Sequence, residues 1–344
     1  MKKLSGFLLC LFTLINTYGQ SAESGQDKNY LNYYQAVARA EEAIVNGRYD
    51  SALTWYRHTF NQYPYNNPID CYVAAQVAAY TGDTAHSEQF LRKGIQFGLP
   101  VYTILNNPHL ATVLSRIDRS AIDSCLACYQ KSIQPKARAS VISLIKYDQL
   151  LVHTASIYEQ GGYRKLKQEY RPIWDSLCRA IMQLTKEYGF PSQKIAGTQN
   201  GEDSCFVTSP HATFPLFILI HLGNAWKDFE AILWEELKKA NITPQMYAVI
   251  YESSNGKEYR DFYANGSVFY FASRPCGDNH CKKFLKERMA KINQDRAKIG
   301  LCPYEVMDKK FTSTRNYHQW RRNKAEKPEA VFDFQCELNF QGKN

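Results

Sequence analysis

Between Tyr30 and Gly98 apolar residues recur at helical spacing, and the pattern breaks at a glycine in two corresponding places. A first run places Ala40 and Ala43 on one face and stops at Asn46-Gly47, and a second carries Ala52, Tyr56 and Phe60 and stops at Pro64. A shift of 35 residues lays this pattern on itself: Ala40 falls on Ala75, Ala43 on Ala78, Gly47 on Gly82, Ala52 on Ser87, Tyr56 on Leu91 and Phe60 on Ile95. Small residues where helices cross, glycine at the turn and large apolar residues on the packing face are the requirements of stacked helical hairpins.

Beyond the hairpins the period stays helical. Asn106-Asn107-Pro108 interrupts the chain, and Leu110 to Ile133 reads as one or two amphipathic helices that connect and cap. Val141 to Glu159 and Tyr163 to Tyr188 come next as long helices, the second ending at Gly189-Phe190-Pro191. After a polar loop, Gln193 to Ser209, come helices at Pro215 to Leu222 and Ala225 to Ala240, then Asn241 as a C-terminal cap and Pro244 opening another. Phe284 to Lys298 is helical again. Near the end the period drops to two: Phe332, Phe334, Cys336, Leu338 and Phe340 alternate with Asp333, Gln335, Glu337 and Asn339, which predicts a half-buried strand. Its candidate partner is Val268 to Phe271.

The two hairpins resemble tetratricopeptide-type repeats. Gly47, Tyr49, Ala52, Tyr56 and Pro64 match the motif in the first unit; in the second, Gly82 and Asp83 hold the turn, Ser87 stands for alanine and the closing proline moves to Pro100. Two such units bury too little to stand alone, since about three are needed, so their open end must pack on the next part of the chain. Val141 to Pro303 looks like a helical domain of unknown function found in exported proteins of Gram-negative bacteria. The resemblance rests on Asp148-Gln149, Tyr188-Gly189-Phe190-Pro191, Gly197, His211, Asn293-Gln294-Asp295-Arg296 and Ile299-Gly300-Leu301. This chain departs from it at Tyr251-Glu252, where an Asp-Arg pair belongs. The resemblance implies an all-helical domain and no mechanism.

The expected architecture is mainly α: tetratricopeptide-like hairpins packed on a second all-helical domain, with a short β element near the C-terminus. The expected divisions are 1–19 signal peptide, 20–29 flexible lead, 30–100 two repeats, 101–138 connecting helices, 139–312 helical domain, and 313–344 a basic segment with the terminal strand. An apolar fraction of 44% in 344 residues is that of a globular chain with a sizeable core.

Lys2 and Lys3 precede an apolar run from Phe7 to Ile15, too short to span a bilayer, with Thr17 and Gly19 at the positions of a cleavage site before Gln20. The expectation is export to the periplasm or beyond, without a transmembrane segment and with envelope association open. Removing both lysines lowers the formal charge from +9 to +7, a balance that suits an acidic surface such as lipopolysaccharide or anionic polysaccharide. The basic residues are spread along the chain, which argues against nucleic acid.

Ten cysteines become nine once Cys10 leaves with the signal, an odd number. Cys276 and Cys281, in CGDNHC, either close a turn as a disulfide or stay unpaired; the spacing does not suit zinc. Cys125 and Cys128 form a C-x-x-C without a redox fold around it and read as helix packing. His211 and His221, ten residues apart, would lie about 15 Å from each other on one helix, too far to share an ion. No metal or cofactor is expected.

No catalytic serine motif, phosphate loop or helix-borne zinc motif appears. Asp148, Glu159, Glu230, Glu235 and Glu236 read as solvated helix faces. The leading expectation is an exported interaction protein, its partner a protein, with Tyr49, Trp55, Tyr56 and Tyr80 as binding aromatics. The alternative is a hydrolase-type enzyme near His211 with Asp148 and Arg296 as polar members.

Overall fold

The computed structural model describes residues 28–157, 163–197, 226–255, 279–323 and 332–334. Helices α1 (Leu31–Val45) and α2 (Tyr49–Gln62) form one hairpin, and α3 (Pro68–Tyr80) and α4 (Thr84–Gln96) a second. Short helices α5 (Val101–Leu105) and α6 (Ala111–Leu114) lead to α7 (Arg119–Ser132), which packs on α4. Then come α8 (Pro135–Ile157), α9 (Tyr163–Tyr188), the single turn α10 (Gln193–Ala196), α11 (Trp226–Lys238), α12 (Pro244–Asn255), α13 (Asn279–Lys298) and α14 (Tyr304–Asn323). Helix α8 packs on α9, α11 on α12, and α14 returns to pack on α1.

The 35-residue offset has a physical counterpart. Ala40, Ala43, Ala52, Tyr56 and Phe60 are buried, and so are their counterparts Ala75, Ala78, Ser87, Leu91 and Ile95. Ser87, the polar member, sits without cost because its hydroxyl donates to the Ala75 carbonyl at 2.9 Å across the hairpin. Both turns use one cap: Arg48 N–H reaches the Ala43 carbonyl and Asp83 N–H the Ala78 carbonyl, each at 2.8 Å. Gly47 and Gly82 occupy the left-handed conformation this cap needs, with φ of 73° and 83°. Tyr33 on α1 ties the hairpins together, donating to Asp70 at 2.8 Å while accepting from Asn67 N–H at 2.9 Å.

The hairpins join the remainder through α1. Tyr30 N–H donates to the Lys238 carbonyl at 2.9 Å, and the Tyr34 hydroxyl donates to the Ile242 carbonyl at 3.2 Å. At the end of α13 the chain passes so close to α1 that a Cβ on Gly300 would lie 2.5 Å from Tyr34 Cβ. One hydrophobic core includes Tyr33 and Tyr56 of the hairpins, Ile181, Leu233 and Val249 beyond them, and Phe332 and Phe334.

One expectation is corrected. Among the described residues there is no strand. Phe332, Asp333 and Phe334 are all buried, so no alternation of inner and outer faces exists there; side chains, not a neighbouring strand, take up the backbone groups. The proposed partner, Val268 to Phe271, lies outside the described residues, as do the leader, His211, His221 and Cys276; the backbone of Cys281 is in the first turn of α13. Helix α14 runs from Tyr304 through Asn323, across the expected boundary between the helical domain and the basic segment at residue 313, with Val306, Met307, Thr314 and Tyr317 among its buried residues. None of the described helices is long and apolar enough to cross a membrane.

Candidate functional site

After Asp70 in its first turn, helix α3 is buried on every side. Asn67 caps its first turn, accepting from Ile69 N–H at 2.9 Å, Pro68 supplies a preset first residue, and every residue from Cys71 to Ala78 is buried. Among them Gln76 is the one polar side chain that is not an aromatic hydroxyl or a thiol, and a buried amide must find partners or cost about 1–3 kcal/mol per unmet group. Its partner is a peptide group far along the chain. Gln76 Nε2 donates to the Asp333 carbonyl at 2.9 Å, and Asp333 N–H donates to Gln76 Oε1 at 3.0 Å.

The neighbouring peptide groups are gripped in the same way. Ser313 Oγ accepts from Phe332 N–H at 3.1 Å and donates to the Phe332 carbonyl at 3.0 Å; Thr314 Oγ1 accepts from Phe334 N–H at 3.1 Å. Side chains of helices α3 and α14 thus grip the backbone of residues 332–334. The Asp333 carboxylate accepts from the Tyr72 hydroxyl at 3.2 Å, and His318 Nε2 lies 3.8 Å from its other oxygen. Tyr72 is itself set by Asn107 Nδ2, which donates to its hydroxyl at 2.7 Å.

The phenyl rings flanking Asp333 have separate seats. Phe332 lies in a box of Tyr49, Tyr80 and His109, with ring centroids 5.6, 5.5 and 6.0 Å away, the tyrosines edge-on and the imidazole stacked. Tyr49 and Tyr80 also meet each other at 5.2 Å. Phe334 lies under the Lys310 ammonium, 5.4 Å from its ring, and Lys310 is ion-paired with Glu41 of α1 at 2.5 Å. Beside Phe334 is a cavity of about 110 Å³, bordered by Glu41, Arg296 and Cys302, room for a few waters and below the range of organic ligands.

Of the four aromatics singled out in the sequence, Tyr49 and Tyr80 belong to the box. Tyr80 remains 38% exposed, so its outer side faces solvent at the rim. Tyr56 is fully buried against Phe60 and is a core residue. Trp55 is half-buried beneath the Arg39 guanidinium, 5.1 Å from its ring, and is not a member of the box.

The polar candidates have structural partners. Asp148 is fully buried, not solvated, and accepts from Trp174 Nε1 at 3.0 Å, joining α8 to α9. Arg296 is also fully buried and donates to the Cys302 carbonyl at 2.6 Å. It borders the small cavity by Phe334, which Asp148 does not line. Asn293, in the same motif, accepts from Tyr304 N–H at 2.8 Å and donates to Glu305 at 3.0 Å, tying α13 to α14. Burial opposes ionisation of Asp295, yet hydrogen bonds from Lys291 and Lys298 outweigh it and hold the carboxyl below its usual range.

Glu236, expected on a solvated face, is buried and organises a turn: its carboxylate accepts from Phe190 N–H at 2.6 Å and Asn241 Nδ2 at 2.8 Å. Cys125 is half-buried and Cys128 exposed, so only the first packs as expected; like Cys71, Cys178 and Cys302, both are thiols. Among the described residues no three metal-ligating side chains gather.

Sequence reasoning missed Gln76, Ser313, Thr314 and His109. The one available signal was Gln76 itself, an amide inside the apolar run Cys71 to Ala79. Comparison with protein-family models, curated proteins and solved structures finds no match.

Proposed function

We propose that this protein is an exported interaction protein that uses its tetratricopeptide-like hairpins, together with α14, to hold an extended peptide of a partner protein. The observation that carries the reading is the two-way amide pairing of Gln76 with the Asp333 peptide, beside the aromatic box on Phe332. Backbone bonds supply affinity without demanding a sequence, and seats for alternate side chains supply specificity, as in other modes of extended-peptide recognition. The chain's own Phe-Asp-Phe occupies the groove, so a partner presents an aromatic, an acid and an aromatic in the same order.

A tethered occupant competes at an effective concentration of about millimolar. A partner peptide therefore binds measurably only when it exceeds that local competition or when the segment is released. For the enzyme alternative, Asp148 bonds to Trp174 and Arg296 to the Cys302 carbonyl, separate buried contacts, and His211 lies outside the described residues.

Fluorescence anisotropy tests the reading, using a labelled peptide Glu-Ala-Val-Phe-Asp-Phe-Gln, the sequence of residues 329–335. The full chain carrying Phe332→Ala and Phe334→Ala should bind this peptide at least tenfold more tightly than the unaltered chain. A peptide with both phenylalanines replaced by alanine should not bind. A folded double variant that ignores the peptide overturns the proposal.

A further inference from the structure

Helix α7 carries two cysteines three residues apart, Cys125 and Cys128, and packing accounts for only the first of them. Cys125 is half-buried against the core, together with Ala121, Ile122 and Leu126 of the same helix, whereas Cys128 is exposed. A thiol used for packing behaves as a small hydrophobe and belongs inside, where Cys71, Cys178 and Cys302 lie. Cys128 fills no such place. Among the described residues neither α7 sulfur is taken up by a disulfide, a hydrogen bond or an ion pair.

Residues three apart on a helix share a face, with Cβ atoms about 5–6 Å from each other. The electrostatics agree that the two thiols are neighbours. Burial, foremost, pushes the Cys125 thiol above its ordinary value; the Arg92 guanidinium pulls it back, and the Cys128 thiol adds to the rise. Arg92 comes from α4, the helix on which α7 packs, and its Nε and Nη2 also donate to Glu88 at 2.9 and 2.7 Å. Two thiols and one cation therefore meet at the seam of α4 and α7.

Spacing and ligand count decide what such a pair can take. A disulfide draws its Cβ atoms to about 3.8 Å, so closing one here would deform the helical turn. A bridging metal asks for less: two metal–sulfur bonds of about 2.3 Å let the sulfurs stay up to about 4.6 Å apart, within reach of side chains at helical spacing. Zinc takes four ligands, and among the described residues no third histidine, cysteine or carboxylate joins these two. Thiolates are soft ligands, and Cu(I) is the soft ion that two of them satisfy.

We propose that Cys125 and Cys128 bind one Cu(I) ion between them as a two-coordinate dithiolate. Two S–H bonds give their protons to solvent, two Cu–S bonds form, and copper keeps its oxidation state. The product carries one net negative charge, which the Arg92 guanidinium offsets from α4. Cys128 gives the ion its way in from solvent, and the half-buried Cys125 holds it against the helix seam. The site is separate from the peptide clamp of α3 and α14, and either reading stands if the other fails.

Titration of the reduced, anaerobic full chain with Cu(I), in competition with the chromophoric chelator bathocuproine disulfonate, tests it. The chain holds other cysteines, so the readout is the difference between variants. Cys125→Ser and Cys128→Ser should each withdraw one equivalent of Cu(I) less than the unaltered chain. The double variant should lose no more than either single one, because a chelate is lost with either arm. Zn(II) binding should be the same in all four chains. Circular dichroism verifies that each variant is folded, and the exposed Cys128 position gives a variant that removes a ligand without touching the core. A folded single variant that keeps the full Cu(I) complement, losses that add in the double variant, or an equal loss of Zn(II) overturns the proposal.

Discussion

Gln76 and Asp333, 257 residues apart, exchange two hydrogen bonds through one side-chain amide and one peptide group. The amide acts as a neighbouring strand would, offering a donor and an acceptor at the spacing of a peptide, but from a helix. That is how residues 332–334 lie buried among helices, with no strand among the described residues.

Replacing Gln76 with leucine keeps the volume and removes both bonds. The Asp333 N–H and carbonyl then remain buried without their partner, at a cost of about 1–3 kcal/mol for each unmet group. Urea denaturation should register a loss of about 3 kcal/mol with little change in slope.

The aromatic box predicts a contrast between a boxed phenyl and a larger, half-buried indole. Phe332→Ala empties a seat formed by Tyr49, Tyr80 and His109 and should cost about 3–5 kcal/mol. Trp55→Ala removes a half-buried ring stacked under Arg39 and should cost less, about 1–2 kcal/mol, without changing peptide affinity. Thermal melts and anisotropy on the same samples separate the two effects.

Ala240 offers the opposite sign. It sits at the left-handed cap position, with φ of 57°, where its neighbours in kind, Gly47, Gly82, Gly98 and Gly300, carry no Cβ penalty. Ala240→Gly should therefore stabilise the protein by about 1 kcal/mol, seen as a higher urea midpoint.

Alkaline pH should destabilise the fold. Burial foremost, and the nearby Asp70 charge next, push the Cys71 thiol far above its ordinary value; burial likewise pushes the hydroxyls of Tyr33 and Tyr56 well up. The folded chain keeps these protons at pH values where the unfolded chain loses them, so rising pH favours unfolding. Stability should hold below about pH 8.5 and fall above it, first through the thiol and, past about pH 10, through the tyrosines. Each group adds a slope approaching about 1.4 kcal/mol per pH unit. Urea midpoints from pH 7 to 11 check this; Cys71→Ala should reduce the first part of the fall, and the buried Cys302 thiol, raised by burial as well, should keep the remainder.

The legible parts of the sequence were those written locally. Ala40, Ala43, Ala75 and Ala78 with Gly47 and Gly82 define two hairpins because helix crossing and turn chemistry act within a few residues. Helix α14 was hidden because its described buried residues, Tyr304, Val306, Met307, Thr314 and Tyr317, are few among many charged ones. The alternation at Phe332 to Phe334 was real in sequence and misleading in structure. Period-two spacing reports an extended backbone, while the burial of Asp333 depends on Tyr72 and His318, which lie far away along the chain or on another helix. Glu236 and Asp148 were misread for the same reason: what buries a carboxylate is the arrival of Phe190 and Asn241, or of Trp174, from another element or turn.

Whether the groove of α3 and α14 is a peptide site filled by a replaceable occupant is tested by hydrogen exchange of the full chain. The exchange is read by mass over the fragment containing residues 332–334, with and without excess peptide Glu-Ala-Val-Phe-Asp-Phe-Gln. The segment should be protected alone and should exchange at least tenfold faster when the peptide is present, while α1 to α4 keep their protection. Unchanged exchange over residues 332–334 at saturating peptide would show that the segment is a fixed part of the core and that the groove is no peptide site.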